Sequence, residues 1–133
     1  MFIYSQGETM TSFSKRFLLC AVAYVVLGMA LGTHMGAQQD FKLAPIHGHK
    51  NLVGWVTMAL FAWFYNTVPA AAGDKLAQAH FWAAQIGMVM FIIGLYIVLN
   101  ENMTGEPVLI AGELLTGISM LIFGYKVWKT DAT

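Results

Sequence analysis

Four stretches of the chain are nearly free of charged side chains, and polar residues gather between them. Residues 17–39, 51–73 and 76–100 contain no Asp, Glu, Lys or Arg, and residues 107–125 contain only Glu113. Each has the length of the roughly 20 residues that carry a helix across about 30 Å of hydrocarbon. The pattern predicts four membrane-spanning helices over residues 17–37, 47–69, 78–100 and 107–127, within a single domain covering 1–133. Connections this short favour an all-α, up-down four-helix bundle.

Punctuation residues refine these elements. Pro45 is placed to open the second helix, Pro69 closes it, and Gly105-Glu106-Pro107 starts the fourth. The third helix is expected to begin around His80-Phe81-Trp82. Gly28, Gly32 and Gly36 recur every four residues, while Gly87 and Gly94, and again Gly117 and Gly124, stand seven apart. Small residues so spaced share a helix face and let a second helix approach closely. Residues before Lys15 read as a loose tail, Met10 makes an equally good start, and residues 1–8 carry no functional expectation. There is no internal repeat and no low-complexity segment.

Composition sharpens the class. With 58% hydrophobic and 11% charged residues, the chain falls outside the range of soluble domains. Its formal net charge of zero leaves no basic patch for nucleic acid. The first apolar run is longer than the apolar region of a signal peptide, which is about 7–15 residues, and no small-residue cleavage site closes it. Cys20 is the single cysteine, which excludes an internal disulfide and a cysteine zinc site. Both termini inside would put Lys15, Arg16, Lys75, Lys126 and Lys129 in the cytoplasm and only Lys42 and Lys50 outside, the bias expected of a bacterial inner-membrane protein. Trp63, Tyr65, Trp82, Tyr125 and Trp128 would then gather near the inner boundary.

Candidate chemistry lies in Ile46-His47-Gly48-His49-Lys50-Asn51-Leu52-Val53-Gly54-Trp55, which holds two of the four histidines. Histidines at the start of a membrane helix need hydrogen-bond partners or a metal, and a haem iron or a copper ion would serve. At about 100° per residue, His47 and His49 point roughly 200° apart, so they suit two sites rather than one ion. His34 and Met35 lie at the outer end of the first helix. His80 lies on the opposite, inner side, with at most a role in proton handling. Glu113 is the one acidic side chain inside a span. It reads as a partner for a ligand histidine or a proton carrier, or else as a neutral carboxyl bonded to Thr116 or Ser119. Lys50 is placed to pair with a haem propionate or to reach the outer surface.

His49-Lys50-Asn51-Leu52 followed by Gly54-Trp55 resembles the second helix of the catalytic subunit of nitric oxide reductases and related haem-copper oxidases, where that histidine ligates the low-spin haem. His47-Gly48-His49 also resembles the tenth helix of that subunit, whose two histidines ligate two haems on opposite faces. The family subunit is built of three arcs of four helices, with its ligands on the second helix of each arc. The resemblance therefore implies that this chain is one such arc and that a homotrimer rebuilds the ring. It implies haem b between neighbouring protomers, with His49 from one and His47 or His34 from the next, and Lys50, Asn51, Trp55 and Glu113 around it. The adjacent His-His pair of the family's copper site and the tyrosine four residues from a helix-two histidine are both absent.

The expected function is haem b binding for electron transfer or for binding oxygen or nitric oxide. A minimal gas reductase or quinol-linked oxidoreductase is one alternative. A copper-binding protein using His34, Met35, His47 and His49, or a structural or assembly protein without haem, is the other. Partners under these readings are the bilayer, further copies of the chain, and an electron-transfer partner or quinol.

Overall fold

The computed structural model describes residues 9–130, so the tail over 1–8 and residues 131–133 lie outside the described residues. The described part is all helical. Helix α1 (Ser12–Gln38) begins where the Thr11 hydroxyl accepts a hydrogen bond from the Ser14 amide, and it ends at Gln39 in the left-handed conformation, φ 53°. It therefore starts ahead of Lys15, and residues 12–14 are no loose tail. Phe13 and Ser14 are buried, and the Ser14 hydroxyl donates to the Ala62 carbonyl at 2.5 Å, so contacts absent from the local sequence pattern hold the first turn.

The second rod is one continuous helix in three parts: α2 (Ala44–His49), a π-helical segment (Lys50–Thr57) and α3 (Met58–Thr67). Pro45 stands in the first turn of α2, where a missing amide hydrogen costs nothing. The backbone remains right-handed helical through His49, Lys50, Thr57 and Met58, and the Thr57 hydroxyl donates to the carbonyl of Leu52, five residues back. A 3-10 turn (Pro69–Ala72) leads to α4 (Lys75–Leu99). Asp74 caps α4 by accepting from the Ala77 amide, so the helix starts at Lys75 and His80 lies more than a turn inside it. A short 3-10 turn (Met103–Gly105) precedes α5 (Glu106–Trp128).

Three helices, Ser12–Gln38, Lys75–Leu99 and Met103–Trp128, are long and apolar enough to cross a membrane. Their outward faces carry large apolar side chains such as Leu19, Ile93 and Leu121, which suits contact with lipid tails. The chain is an integral membrane protein.

Packing follows the glycines. Along α4 and α5, Gly87 lies against Thr116, Gly94 against Leu109, Gly105 against Ile97, and Gly112 against Phe91, each with no room for a β-carbon. Along α1 and the second rod, the space at Gly28 is taken by Asn51, at Gly32 by His47, and at Gly54 by the Tyr24 ring. Gly36, Gly117 and Gly124 have open space instead, so these members of the glycine series serve no close contact among the described residues. Aromatic packing fills the end of the bundle formed by the start of α1, the end of α3 and the start of α4. There Phe13, Phe17, Phe61, Phe64, Tyr65 and Phe81 are buried. Tyr65 is therefore packed inside the core rather than facing lipid.

At that end Lys126 of α5 donates to the Ala71 carbonyl at 2.9 Å and pairs with Asp74 at 2.5 Å. The Lys126 hydrogen bond, helped by the Ala77 amide, holds the Asp74 carboxyl below its ordinary range. A depressed folded-state pKa means that this stabilisation is full above the ordinary carboxylate pKa of about 3.9 and is lost as pH falls through the folded value.

Two outcomes are expected in thermal unfolding of the detergent-solubilised protein. Gly112→Ala forces α4 and α5 apart and should cost about 1–3 kcal/mol, whereas Gly117→Ala should be close to neutral. Asp74→Asn, which keeps the cap but loses the ion pair, should cost up to about 1 kcal/mol at neutral pH and match the wild type in acid.

Candidate functional site

The π-helical segment and α2 set the directions of the two histidines of His47-Gly48-His49. The His47 ring enters the space left by Gly32, where its Nδ1 lies 2.8 Å from the Gly28 carbonyl and its Nε2 lies 3.1 Å from the Asn51 amide nitrogen. A carbonyl only accepts, so Nδ1 carries the proton and donates to Gly28, leaving Nε2 to accept from Asn51. Both ring nitrogens of His47 are thus occupied inside its own protomer. Asn51 completes this clasp with its amide nitrogen, while its side-chain oxygen is buried without a partner among the described residues.

His49 faces the other way, toward α4. Its ring centroid lies 4.6 Å from that of Phe91, and its Nδ1 donates to the Pro45 carbonyl at 2.7 Å. The hydrogen bond to a backbone carbonyl that a non-ligand histidine would make is therefore present. It also fixes the tautomer, because the donated Nδ1 proton leaves a lone pair on Nε2, which has no hydrogen bond among the described residues. His49 borders a cavity of about 230 Å³ together with Val53, Met88, Phe91, Glu113 and Thr116. Glu113, from α5, is exposed on the protomer surface at this cavity and forms no ion pair or hydrogen bond among the described residues. The site therefore joins an oriented imidazole lone pair and a carboxylate on apolar walls. It can bind a metal centre through nitrogen and hold a proton beside it.

The other candidates are placed apart. His34 is exposed and borders a different cavity of about 520 Å³, with Met35, Asp40, Lys42, Tyr96 and Asn100 around it. Lys50 is half-buried at the start of the π-helical segment. Trp55 packs against the aromatic core rather than in the His49 cavity. Among the described residues no three His, Cys, Asp or Glu side chains gather around one point that could hold a metal ion. His34, Met35, His47 and His49 thus form no common copper site within one protomer.

Two polar clusters lie away from this cavity. His80 is completely buried, because α4 starts at Lys75 and carries it into the aromatic core. Its Nδ1 is 2.9 Å from the Tyr65 hydroxyl, the rings of Phe17, Phe61 and Phe123 surround it, and its Nε2 has no partner among the described residues. Nearer mid-helix, the Tyr24 hydroxyl donates to Gln85 at 3.3 Å, and Gln85 donates to the Met58 sulfur at 3.4 Å. The one signal for both was a polar residue within an otherwise apolar run.

No protein-family model matches the chain, and no solved structure matches it. Among curated proteins it is similar to the cbb3-type cytochrome c oxidase subunit CcoN1 of Stutzerimonas stutzeri, 24% identical over 151 aligned positions that cover 86% of this chain and 32% of that protein. It is also similar to a Streptomyces coelicolor protein named as a cytochrome c oxidase subunit 1-beta, 28% identical over 132 positions that cover 82% of this chain and 23% of that protein. The chain thus spans a third or less of the length of these relatives. They support a distant, partial relation to subunit I of the haem-copper oxidases.

The two histidines should separate by substitution. In cofactor-free protein, His47→Leu strands the Gly28 carbonyl and the Asn51 amide and should cost about 1–3 kcal/mol of stability. His49→Leu removes a single exposed hydrogen bond and should cost less than about 1 kcal/mol, both being read by thermal unfolding.

Proposed function

We propose that this chain is a haem b-binding membrane protein of the haem-copper oxidase type, a four-helix up-down bundle with both termini on the cytoplasmic side of a bacterial inner membrane. Its work under this reading is electron transfer. The observation that carries the proposal is His49, whose Nδ1 is committed to the Pro45 carbonyl, whose Nε2 has no hydrogen bond among the described residues, and which borders a cavity walled by Val53, Met88 and Phe91. A histidine oriented through its other nitrogen is the usual form of a metal ligand.

The fit to haem holds with one condition. The cavity of about 230 Å³ is smaller than the roughly 300–1,000 Å³ of pockets that enclose ligands of this class. A group held by His49 must therefore extend past the protomer, where His49 and Glu113 are both exposed. A second copy of the chain would cover them, in keeping with the rule that ionisable side chains inside a membrane face protein rather than lipid. The homotrimer belongs to this reading, because three four-helix arcs would rebuild the ring of the oxidase subunit.

Of the two candidates for a second residue that would hold the haem, the reading favours His34 of a neighbouring copy of the chain. His47 has both nitrogens engaged with Gly28 and Asn51, and releasing either would leave a buried polar group without a partner. When bound, haem b supplies one-electron redox chemistry, and two histidine ligands suit electron transfer rather than gas binding. His49 would hold the group through Nε2, its ring orientation fixed by the hydrogen bond to the Pro45 carbonyl. Glu113, which borders the same cavity, would be the residue to hold a proton beside the group. Lys50 lies close enough in the chain to place its ammonium group near a propionate.

The test is the visible spectrum of the purified protein, air-oxidised and dithionite-reduced, with a pyridine haemochrome assay for haem type. Wild-type protein should show a six-coordinate b-type spectrum. His49→Ala should lose the haem while keeping its helical content, and His34→Ala should retain haem that now binds carbon monoxide. Unchanged haem content in His49→Ala would reject the proposal, and a purified particle with the mass of one or two chains would reject the trimer.

A further inference from the structure

At the aromatic end of the bundle, far along the chain from the His49 cavity, Arg16 occupies the second turn of α1. Its guanidinium lies over the Phe81 ring, 4.2 Å from the centroid, and its centre is 5.7 Å from the Phe13 ring and 6.0 Å from the Trp82 ring. One of its terminal nitrogens donates to the Gln78 side-chain oxygen at 3.3 Å. These contacts fix a side chain that is ordinarily free to move. None of them neutralises it, because the one ion pair among the described residues is Lys126 with Asp74.

The guanidinium borders a cavity of about 340 Å³, lined also by Thr11, Ser12, Pro69, Gly73 and Gln78. No carboxylate lines it. The start of α1 faces the same space, and the amides of Ser12 and Phe13 have no acceptor within their own helix, which leaves the end of the helix electropositive. Lys15 and Lys75 stand exposed beside Arg16 and at the start of α4. The cavity lies at the ends of two helices long and apolar enough to span a membrane, and half-exposed Trp82 stands beside it. That places it at the depth where lipid head groups lie and where indole rings prefer to sit.

We infer that this cavity is a binding site for the phosphate of an anionic phospholipid, gripped by Arg16 and the first amides of α1. The planar guanidinium, already held by Phe81 and Gln78, presents its remaining N–H groups to a phosphate as a fork. The acyl chains would run along the apolar outer faces of α1 and α4, where Leu19 and Ile86 are exposed. Basic pockets between membrane helices commonly recognise such head groups. The site is independent of haem, since it shares no residue with the His49 cavity.

Native mass spectrometry of the full chain, exchanged into phosphatidylglycerol or into phosphatidylcholine with the same acyl chains, provides the test. Wild-type protein should retain phosphatidylglycerol about fivefold better, the effect of one basic residue near an anionic surface. Arg16→Gln should abolish that preference, Arg16→Lys should keep part of it, and Lys15→Gln should leave it almost unchanged. Equal retention of the two lipids by the wild type, or a full preference in Arg16→Gln, would overturn the assignment. Should Arg16→Gln fail to fold, a full preference in Gln78→Ala, which releases the guanidinium, overturns it instead. Inorganic phosphate at millimolar concentration should leave the lipid in place, and displacement by it would show a site for free phosphate.

Discussion

Lipid tails are as apolar as the helices they surround, so burial of apolar surface does not drive helices together inside a bilayer; close contact does. In this protein the close contact comes from missing β-carbons. Gly87, Gly94, Gly105 and Gly112 bring α4 and α5 together, while Gly28, Gly32 and Gly54 admit Asn51, His47 and Tyr24 between α1 and the second rod. The second set does more than pack. By seating His47 and Asn51 in glycine niches, it fixes the rotation of α2, and that rotation turns His49 toward α4 and Glu113. A packing requirement and the direction of His49 are met by the same five residues, His47 to Asn51.

The two ends of the bundle differ in character. One is filled by interlocking rings of Phe13, Phe17, Phe61, Tyr65 and Phe81 and closed by the Lys126–Asp74 pair. The other holds His34, His47, His49 and Glu113, with cavities and exposed polar groups. Rigidity is thus concentrated at one end and openness at the other.

Much of the helical content was legible in the sequence. Charge-free runs and the positions of Pro45, Pro69 and Pro107 located the rods, because excluding charge from lipid is a local property of composition. The opposed directions of His47 and His49 also followed from helical periodicity. Three features did not follow. The π-helical segment over Lys50–Thr57 has no compositional signal, and within it Asn51 and Gly54 fit against Gly28 and Tyr24 of α1. The early start of α1 depends on Ser14 reaching Ala62, 48 residues away. The burial of His80 depends on Asp74 starting α4 at Lys75 and on the Tyr65 hydroxyl across the turn. The last two are each decided by a partner distant in sequence, which a pattern read along one strand of chain does not contain.

The π-helical segment also bears on how this chain tolerates change in length. A π segment is a stretch of helix that carries surplus residues without breaking. Losing one residue from it would leave a helix still able to form, so neither membrane insertion nor the aromatic end would register the loss. Everything ahead of it would nevertheless turn by about 100°. His49 would then swing off its cavity and His47 out of its niche at Gly32. The segment is therefore a point where a single-codon deletion would keep the helices while unseating the second rod from α1 and turning His49 away from its cavity.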